Sequence, residues 1–246
     1  MSVRPRQLLQ NMLGVALLLL LWQLLANRMH SAIVASPWET LQAFYQLGID
    51  GALFAQLRVT TARLLSALGL GGLIGIALGS AAGLNRLLRN LLEPVRWVSM
   101  TVPPIIVAVL GMLWFGMGSR QVIFLVTFVI TPILYVNTVA GIDAIDAQLL
   151  EMGKIYRFSR RQVLTEIFLP GIGSYLIAGL TLATGIGIRA VILAELLGAF
   201  EGVGYSFNRA WIYLKTPELF AWILASFVMM GLIEFGLLFP LRRLKI

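Results

Sequence analysis

The chain has 246 residues, of which 59% are hydrophobic and only 12% are charged, and its mean hydropathy is +0.89. Soluble domains carry about 45–50% apolar and about 25% charged residues, so this composition excludes an ordinary water-soluble protein. The chain contains no cysteine and one histidine, which excludes disulfides, iron–sulfur clusters, thiolate zinc sites and multi-histidine metal sites.

Six apolar blocks predict an all-α, polytopic membrane protein with a single transmembrane domain over residues 1–246. Each block approaches the ~20 residues that an α-helix needs to cross a bilayer. The predicted spans are residues 8–26, 60–84, 98–116, 121–140, 174–197 and 219–239. The first block is longer than the apolar core of a secretory signal, which has roughly 7–15 residues, so we expect an uncleaved helix.

The net charge of +8 would suggest nucleic-acid binding in a soluble chain, but in a membrane protein basic residues report orientation. With both termini in the cytoplasm, twelve of the 19 Lys and Arg residues lie on the cytoplasmic side and six on the outer side. Arg63 is one of these six, and Arg189 lies within a span. The bias predicts a multi-pass protein with both termini inside, the lipid bilayer as its environment and no nucleic-acid partner.

Local patterns mark two further features between and within the first spans. In the segment SPWETLQAFYQLG, Ser36 can cap a short helix on the outer membrane surface, with Pro37 at its first position and Glu39 completing a capping box. The second span carries a glycine at every fourth position, which predicts close packing against a neighbouring helix. These glycines are Gly71, Gly75, Gly79 and Gly83.

Prolines interrupt two spans, Pro103 and Pro104 in the third and Pro132 in the fourth. Each proline removes a backbone hydrogen bond, and neighbouring helices or a cavity must satisfy the freed carbonyl. Polar residues near such a break, or on the fifth span, are candidates for the lining of a translocation path. They are Tyr135, Asn137, Thr181 and Thr184.

Residues 142–171 form a segment that we place on the cytoplasmic side. Its acidic and basic residues balance, so it is not a polybasic lipid anchor. Leu149, Met152 and Tyr156 recur with helical spacing and predict one short amphipathic helix. A second set follows at Val163, Ile167 and Phe168. Either the end of the bundle or a separate cytoplasmic protein has to cover the apolar faces of these two helices.

The sequence of this segment, DAQLLEMGKIYRFSRRQVLTEIFLPG, resembles the EAA loop of permease subunits in binding-protein-dependent ABC importers. The family pattern is Glu-Ala-Ala, three residues, glycine, and about a dozen residues to Leu-Pro. When the two are aligned on the final Leu-Pro, Glu151 takes the position of the glutamate, and Met152 and Gly153 take those of the alanines. Arg157 takes the position of the glycine, where a turn with positive φ would end the first short helix.

Two more segments are similar to the nitrate, sulfonate and taurine branch of these permeases. They are VPPIIVAVLGMLWFGMGSRQVIFLVTFVITPILYVNTVAGI, in the third and fourth spans, and LAELLGAFEGVGY, after the fifth. The resemblance implies a permease of the bacterial inner membrane that pairs with a second copy. It also implies two further partners, a dimer of cytoplasmic ABC ATPase subunits and an extracytoplasmic solute-binding protein.

By the same resemblance, a cytoplasmic coupling helix should insert into a groove on the ATPase. The implied coupling residues are Leu149, Leu150, Glu151, Met152, Gly153, Tyr156, Arg157, Arg160 and Arg161. Closure of the ATPases would then switch the spans between inward-open and outward-open arrangements and import a small anionic solute such as a sulfonate, taurine or nitrate.

The chain itself has no phosphate-binding loop of the form GxxxxGK[ST]. Its Gly153–Lys154 pair is followed by Ile155, which breaks the pattern. We therefore expect no enzymatic activity and no bound cofactor on this chain, with ATP and Mg²⁺ held by the partner ATPase.

Two charged residues of the fifth span complete the translocation-path candidates. Arg189 lies near the middle of the span, where an arginine costs roughly 2.5–3.5 kcal/mol on insertion scales. It can receive an anionic substrate group or form a structural ion pair. Glu195 lies about 240° further around the same helix, so we expect no direct pair with Arg189 and a structural or gating contact near the outer mouth instead.

Three alternatives stay open on the sequence. An ion-coupled secondary carrier could use Arg189, Glu195 and Glu234 as coupling charges, although no internal repeat supports it. The same importer type could handle an aromatic vitamin precursor. A membrane-embedded enzyme would need a nucleophile with a base or a set of metal ligands, and the chain offers little of either.

Overall fold

The computed structural model describes residues 5–30, 32–233 and 235–236, and this part is helical without strands. Its helices are α1 (Pro5–Arg28), α2 (Pro37–Ile49), α3 (Ala52–Leu84), α4 (Arg86–Thr101), α5 (Pro104–Phe115), α6 (Ser119–Asp143), α7 (Ala147–Ile155), α8 (Arg160–Gln162), α9 (Leu169–Gly198), α10 (Val203–Ile212) and α11 (Thr216–Ile233). A π-helical segment, Val163–Phe168, joins α8 to α9.

The predicted fold class is confirmed. Among the described helices, α1, α3, α6, α11 and the continuous helix from Arg160 to Gly198 are long and apolar enough to cross a membrane. Counted together as one broken span, α4 and α5 are also long and apolar enough, which makes up to six spans among the described residues. The last predicted span, 219–239, begins on α11, and its residues 234 and 237–239 are outside the described part.

A sharp bend divides the predicted third span, 98–116, because α4 and α5 meet at 98°. Between them, Val102 and Pro103 have extended backbones with ψ of 124° and 132°. Each of these residues precedes a proline, and a proline disfavours the helical conformation of the residue before it. Pro104 then begins α5, a position that tolerates its missing N–H. Two consecutive prolines therefore turn one apolar block into two helices.

The core lies where α3 packs against α6 and α6 against α9, and the glycine stripe of α3 sets the first of these contacts. A Cβ added at Gly71 would lie 2.6 Å from Cγ1 of Ile130, and one at Gly75 would lie 2.7 Å from the carbonyl oxygen of Thr131. No side chain fits at these separations. The close packing predicted from the glycine spacing is therefore confirmed, and α6 takes the central place in the bundle.

The capping box at the start of α2 is also confirmed. The Glu39 N–H donates to Oγ of Ser36 at 3.2 Å, and the Ser36 N–H donates to Oε2 of Glu39 at 2.8 Å. The backbone hydrogen bond from Ser36 favours the charged carboxylate and holds the pKa of Glu39 below its usual value. The local sequence around Ser36 and Glu39 therefore determines where α2 begins.

Segment 142–171 differs from the expected pair of separate short helices. Only α7 stands alone, because α8 and the π-helical segment continue directly into α9. Pro170 would break a regular α-helix, since it lacks an N–H and its ring crowds the carbonyl four residues earlier. The wider π-helical turn, in which the Leu169 N–H donates to the carbonyl of Leu164, provides room for the ring.

Candidate functional site

The short helix α7 is fixed at its start and along one side. The Asp146 carboxylate accepts a hydrogen bond of 2.8 Å from the Gln148 N–H and so caps the helix. Gly153 is buried, and a Cβ there would lie 3.2 Å from Cδ1 of Ile167. This glycine thus allows α7 to pack tightly on the π-helical segment that leads into α9.

The end of α7 is closed by a left-handed residue, Arg157, with φ of 55°. The Arg157 N–H donates to the carbonyl of Lys154 (3.1 Å), and the Phe158 N–H donates to that of Gly153 (2.8 Å). These two bonds form a Schellman motif, in which glycine is the usual left-handed residue. Arginine thus occupies the place of the family glycine, and the turn is formed nevertheless.

We predict that Arg157→Gly stabilises the chain by about 1 kcal/mol, because glycine adopts positive φ without the steric cost that an L-residue bears there. Thermal unfolding of the purified chain, followed by tryptophan fluorescence in mild detergent, measures the effect. Lys154→Gly is the matched control, since Lys154 is an exposed basic residue with helical backbone in the same helix. It should destabilise by roughly 0.5–1 kcal/mol, and equal losses in both variants would contradict the argument.

α7 leaves its apolar side chains uncovered in the described part of the chain. Four of them form what we call the α7 face: Leu149, Met152, Ile155 and Tyr156. Ile155 is 78% exposed and Tyr156 is 71% exposed. The charged coupling candidates Glu151, Arg157, Arg160 and Arg161 are exposed as well, whereas Leu150 is half-buried. The sequence left two candidates to cover this amphipathic helix, the end of the bundle and a separate cytoplasmic protein. In the described residues, the bundle does not cover the α7 face.

Glu195 lies at the opposite end of α9 from α7 and is fully buried. Its carboxylate accepts hydrogen bonds from Nη1 of Arg63 at 2.7 Å and from the Gly204 N–H at 3.0 Å. The hydroxyl of Thr60 donates to it at 2.9–3.0 Å. In the described residues its ion-pair partner is thus Arg63, in agreement with the expectation that it does not pair with Arg189.

Arg63, which we expected on the outer side of the membrane, lies inside the protein and is 4% exposed. Its guanidinium also donates to Oγ of Ser119 at 3.0 Å and to the carbonyl of Glu201 at 2.7 Å. The Arg63–Glu195 network therefore joins α3, the start of α6, the end of α9 and the loop before α10. The sequence contained one signal for this network. Arg63 lies inside the predicted span 60–84, and a charge within a span needs a partner.

Arg189 is exposed on α9, on the side that faces away from the core. Its neighbours Ile188 and Ala190 are buried, whereas Leu182 and Ile186 are exposed and share its face at helical spacing. Within the described residues, its guanidinium has no hydrogen bond or ion pair. Arg189 is therefore available to a group outside the described residues.

The uncharged path candidates divide into two kinds. Three of them donate to the carbonyl four residues earlier in their own helix: Asn137 to Ile133 at 2.8 Å, Thr181 to Ile177 at 2.9 Å and Thr184 to Leu180 at 2.7 Å. Tyr135 is different, because its hydroxyl is buried and has no partner in the described part.

Residues 5–30, 32–233 and 235–236 contain no group of three His, Cys, Asp or Glu side chains that could hold a metal ion. Glu234, considered as a coupling charge for a carrier, lies outside these residues.

Comparison with known proteins places this arrangement in a family. Residues 71–243 match the profile of the family described as binding-protein-dependent transport system inner membrane component. A Bacillus subtilis (strain 168) protein named for aliphatic sulfonates transport as a permease is 28% identical, over 88% of this chain and 79% of its own length. The taurine transport system permease protein of Escherichia coli (strain K12) is also 28% identical, over 97% of this chain and 90% of its own.

Two further likenesses extend this picture. The nitrate import permease protein of Leptolyngbya laminosa is 26% identical, over 81% of this chain and 74% of its own. Among solved structures, an inward-facing MetNI methionine ABC transporter superposes with a TM-score of 0.64 at 18% identity, covering 76% of this chain and 93% of that one, and so shares the fold. The family profile spans most of the chain and its helices match the fold, so this chain belongs to the family of binding-protein-dependent transport system inner membrane components.

Proposed function

We propose that this permease imports a small anionic solute, an organosulfonate or a related oxyanion, by alternating access driven by a separate cytoplasmic ATPase. The α7 face carries the proposal, because it is an exposed apolar surface on a helix with fixed ends. Relatives named for aliphatic sulfonates, taurine and nitrate transport support the class of solute. ATP and Mg²⁺ would be held by the ATPase, and this chain would supply the path.

Force applied to α7 can reach the membrane through a short, continuous connection. Gly153 and Ile167 pack α7 on the π-helical segment, and that segment runs without a break into α9. Coupling of this kind needs a stiff lever with two discrete positions. We therefore propose that the α7 face inserts into the ATPase on the cytoplasmic side and that its displacement tilts α9.

The outward face of α9 supports pairing with a second copy of the permease. An arginine in contact with lipid near the middle of a span costs roughly 2.5–3.5 kcal/mol, and Arg189 has no partner in its own described chain. We propose that Arg189 faces the path between two copies, where water and an anionic solute solvate it. A solute-binding protein would deliver that solute on the opposite side of the membrane from α7.

The test of coupling is the double variant Ile155→Asp/Tyr156→Asp on the α7 face. Loss of central apolar anchors commonly costs 2 kcal/mol or more in an interface, so we expect at least about thirtyfold weaker binding of the ATPase. Co-purification of the ATPase with tagged permease, together with solute uptake in proteoliposomes, measures the effect. The unfolding temperature should stay unchanged, because both side chains are exposed.

The control variant is Ile212→Asp at the end of α10, where an equally exposed apolar residue lies at the other end of the molecule. It should bind the ATPase normally. Full ATPase binding by the α7 variant, or uptake by the permease alone under an ion gradient, would overturn the proposal and favour an ion-coupled carrier.

A further inference from the structure

A half-open cavity of about 330 Å³ lies between α3, α4 and α6 of a single copy of the chain. Its walls are mainly apolar, with Ile74 and Leu78 from α3, Leu92 and Val95 from α4, and Phe124 and Phe128 from α6. Small-molecule sites typically have volumes of about 300–1,000 Å³ and apolar walls with a few polar groups. This cavity therefore has the size and the lining of a ligand site.

Two buried hydroxyls in the wall lack partners in the described part of the chain. They are Oγ1 of Thr127 and the phenolic oxygen of Tyr135, whose side chain is 6% exposed. Buried polar atoms are nearly always hydrogen-bonded, so each of these needs a partner from elsewhere. Thr131, on the same wall, differs because its hydroxyl donates to the carbonyl of Thr127 at 2.7 Å.

Pro132, on the same wall, interrupts the regular hydrogen bonding of α6. Proline has no N–H, so the carbonyl of Phe128 loses the donor that a regular helix would give it. The wall of α6 thus carries two buried hydroxyls, without partners among the described residues, beside an almost entirely apolar space, a combination suited to a molecule with an apolar body and some hydrogen-bonding capacity.

Arg96 is the charged residue among those that line this cavity. Its Nε and Nη2 bond to Glu93 on the same helix, whereas its Nη1 contacts the sulfur of Met100 at 3.4 Å. A sulfur is a weak acceptor, so Nη1 can still donate to an anion. The exposed position of the Glu93 carboxylate makes that ion pair a weak competitor.

A second cavity, of about 240 Å³, adjoins the first and shares both Arg96 and Tyr135. There Arg89 and Asp143 bind each other through two hydrogen bonds of 3.0 and 2.8 Å, which neutralises both charges. The shared pair of Arg96 and Tyr135 therefore marks the polar end of the apolar cavity, and the aromatic and aliphatic wall extends away from it.

We propose that the α3–α4–α6 cavity binds an amphipathic anion, with its aliphatic or aromatic body between the apolar walls and its sulfonate or carboxylate head at Arg96 and Tyr135. The anion can come from two sources, the imported solute or a single-chain lipid of the membrane. For the first source the inference rests on the proposed function. The site itself does not rest on the proposed function, because all of its lining residues belong to one copy and its occupancy needs neither ATP nor a second protein.

Equilibrium binding to the full chain in nanodiscs of zwitterionic lipid tests the proposal, with radiolabelled 1-octanesulfonate as the solute probe and oleate as the lipid probe. Taurine serves as the comparison, because it has a sulfonate and almost no apolar body. We expect octanesulfonate or oleate to bind at least tenfold more tightly than taurine, in the absence of ATP.

Four variants locate the site. Arg96→Gln should weaken binding at least tenfold, and Tyr135→Phe should weaken it about three- to tenfold, as expected for a charge-assisted and a neutral hydrogen bond. Ser99→Trp, which places a large ring in the cavity, should abolish binding. Thr131→Val is the matched control and should stay within twofold, because its hydroxyl is already engaged. Unfolding temperatures identify any variant that fails to fold.

Binding of octanesulfonate with this pattern identifies the solute as the occupant, and the same pattern with oleate alone identifies a lipid. Absence of both, or equal binding in Arg96→Gln, Ser99→Trp and the wild type, overturns the site. Loss of ATPase coupling leaves probe binding unaffected, so the failure of the proposed function would be seen separately.

Discussion

Replacing Glu195 by leucine is expected to lower the free energy of unfolding by about 3–5 kcal/mol. The change removes the buried carboxylate that pairs with the guanidinium of Arg63 and leaves, among the described residues, only the exposed carboxylate of Glu201, at 3.2 Å, as its counter-charge. Breaking a buried ion pair in this way costs far more than the lost hydrogen bond. The change also removes the acceptor for the Gly204 N–H. Thermal unfolding in mild detergent, followed by tryptophan fluorescence, measures the loss, and a strong decrease in the yield of folded protein should accompany it.

Two comparisons make this result specific to the buried pair. The double variant Arg63→Met/Glu195→Leu should recover part of the stability, since apolar residues of similar volume often replace a buried ion pair at little cost, whereas the Gly204 N–H stays without its acceptor. Lys215→Met removes a pair with Glu218 that is exposed to solvent and should change stability by less than about 1 kcal/mol. A loss for Glu195→Leu no larger than that for Lys215→Met would show that the network contributes no stability.

Replacing Arg189 by leucine should reduce solute uptake at least about tenfold and leave complex assembly and basal ATP hydrolysis intact. A guanidinium can hold an oxyanion through two charge-assisted hydrogen bonds, which contribute roughly 1.5–3 kcal/mol, or about 10- to 150-fold in affinity. Assembly should survive because Arg189 makes no hydrogen bond or ion pair within the described chain. Uptake in proteoliposomes with the complete complex is the measurement.

Related substitutions separate charge from geometry. Arg189→Lys keeps the charge but loses the planar fork, so uptake should fall to an intermediate level. Arg209→Leu makes the same change at an exposed arginine of α10 and should leave uptake unaffected. If Arg189→Leu prevents assembly instead, the arginine forms a structural ion pair with another subunit and does not receive the solute.

Features encoded by neighbouring residues could be predicted from the sequence. The capping box of Ser36 and Glu39 depends on residues three apart, and the glycine stripe of α3 depends on a period of four. The apolar residues Leu149, Met152 and Tyr156 were predicted from helical spacing in the same way, whereas their exposure was not. Such features depend on contacts within one or two turns, which local sequence determines.

Features that depend on distant partners or on exact backbone direction could not be predicted from the sequence. Arg63 and Glu195 are 132 residues apart, and nothing near either residue identifies the other. Pro103 and Pro104 predicted an interruption of the third span, but they did not predict a bend of 98°. The π-helical turn at Pro170 likewise arises from the way the chain accommodates a missing N–H, and sequence spacing suggested a separate helix there.

The bend at Pro103 has a consequence for the lipids around it. α5 has 12 residues and is therefore about 18 Å long, well below the ~30 Å of a typical hydrocarbon layer. If α5 crosses the layer as the second half of a broken span, the acyl chains beside it compress or α4 tilts into the layer, and either adjustment costs elastic energy. The thickness of the hydrocarbon layer thus changes the elastic energy at α5, and a bilayer with shorter acyl chains would reduce the mismatch there.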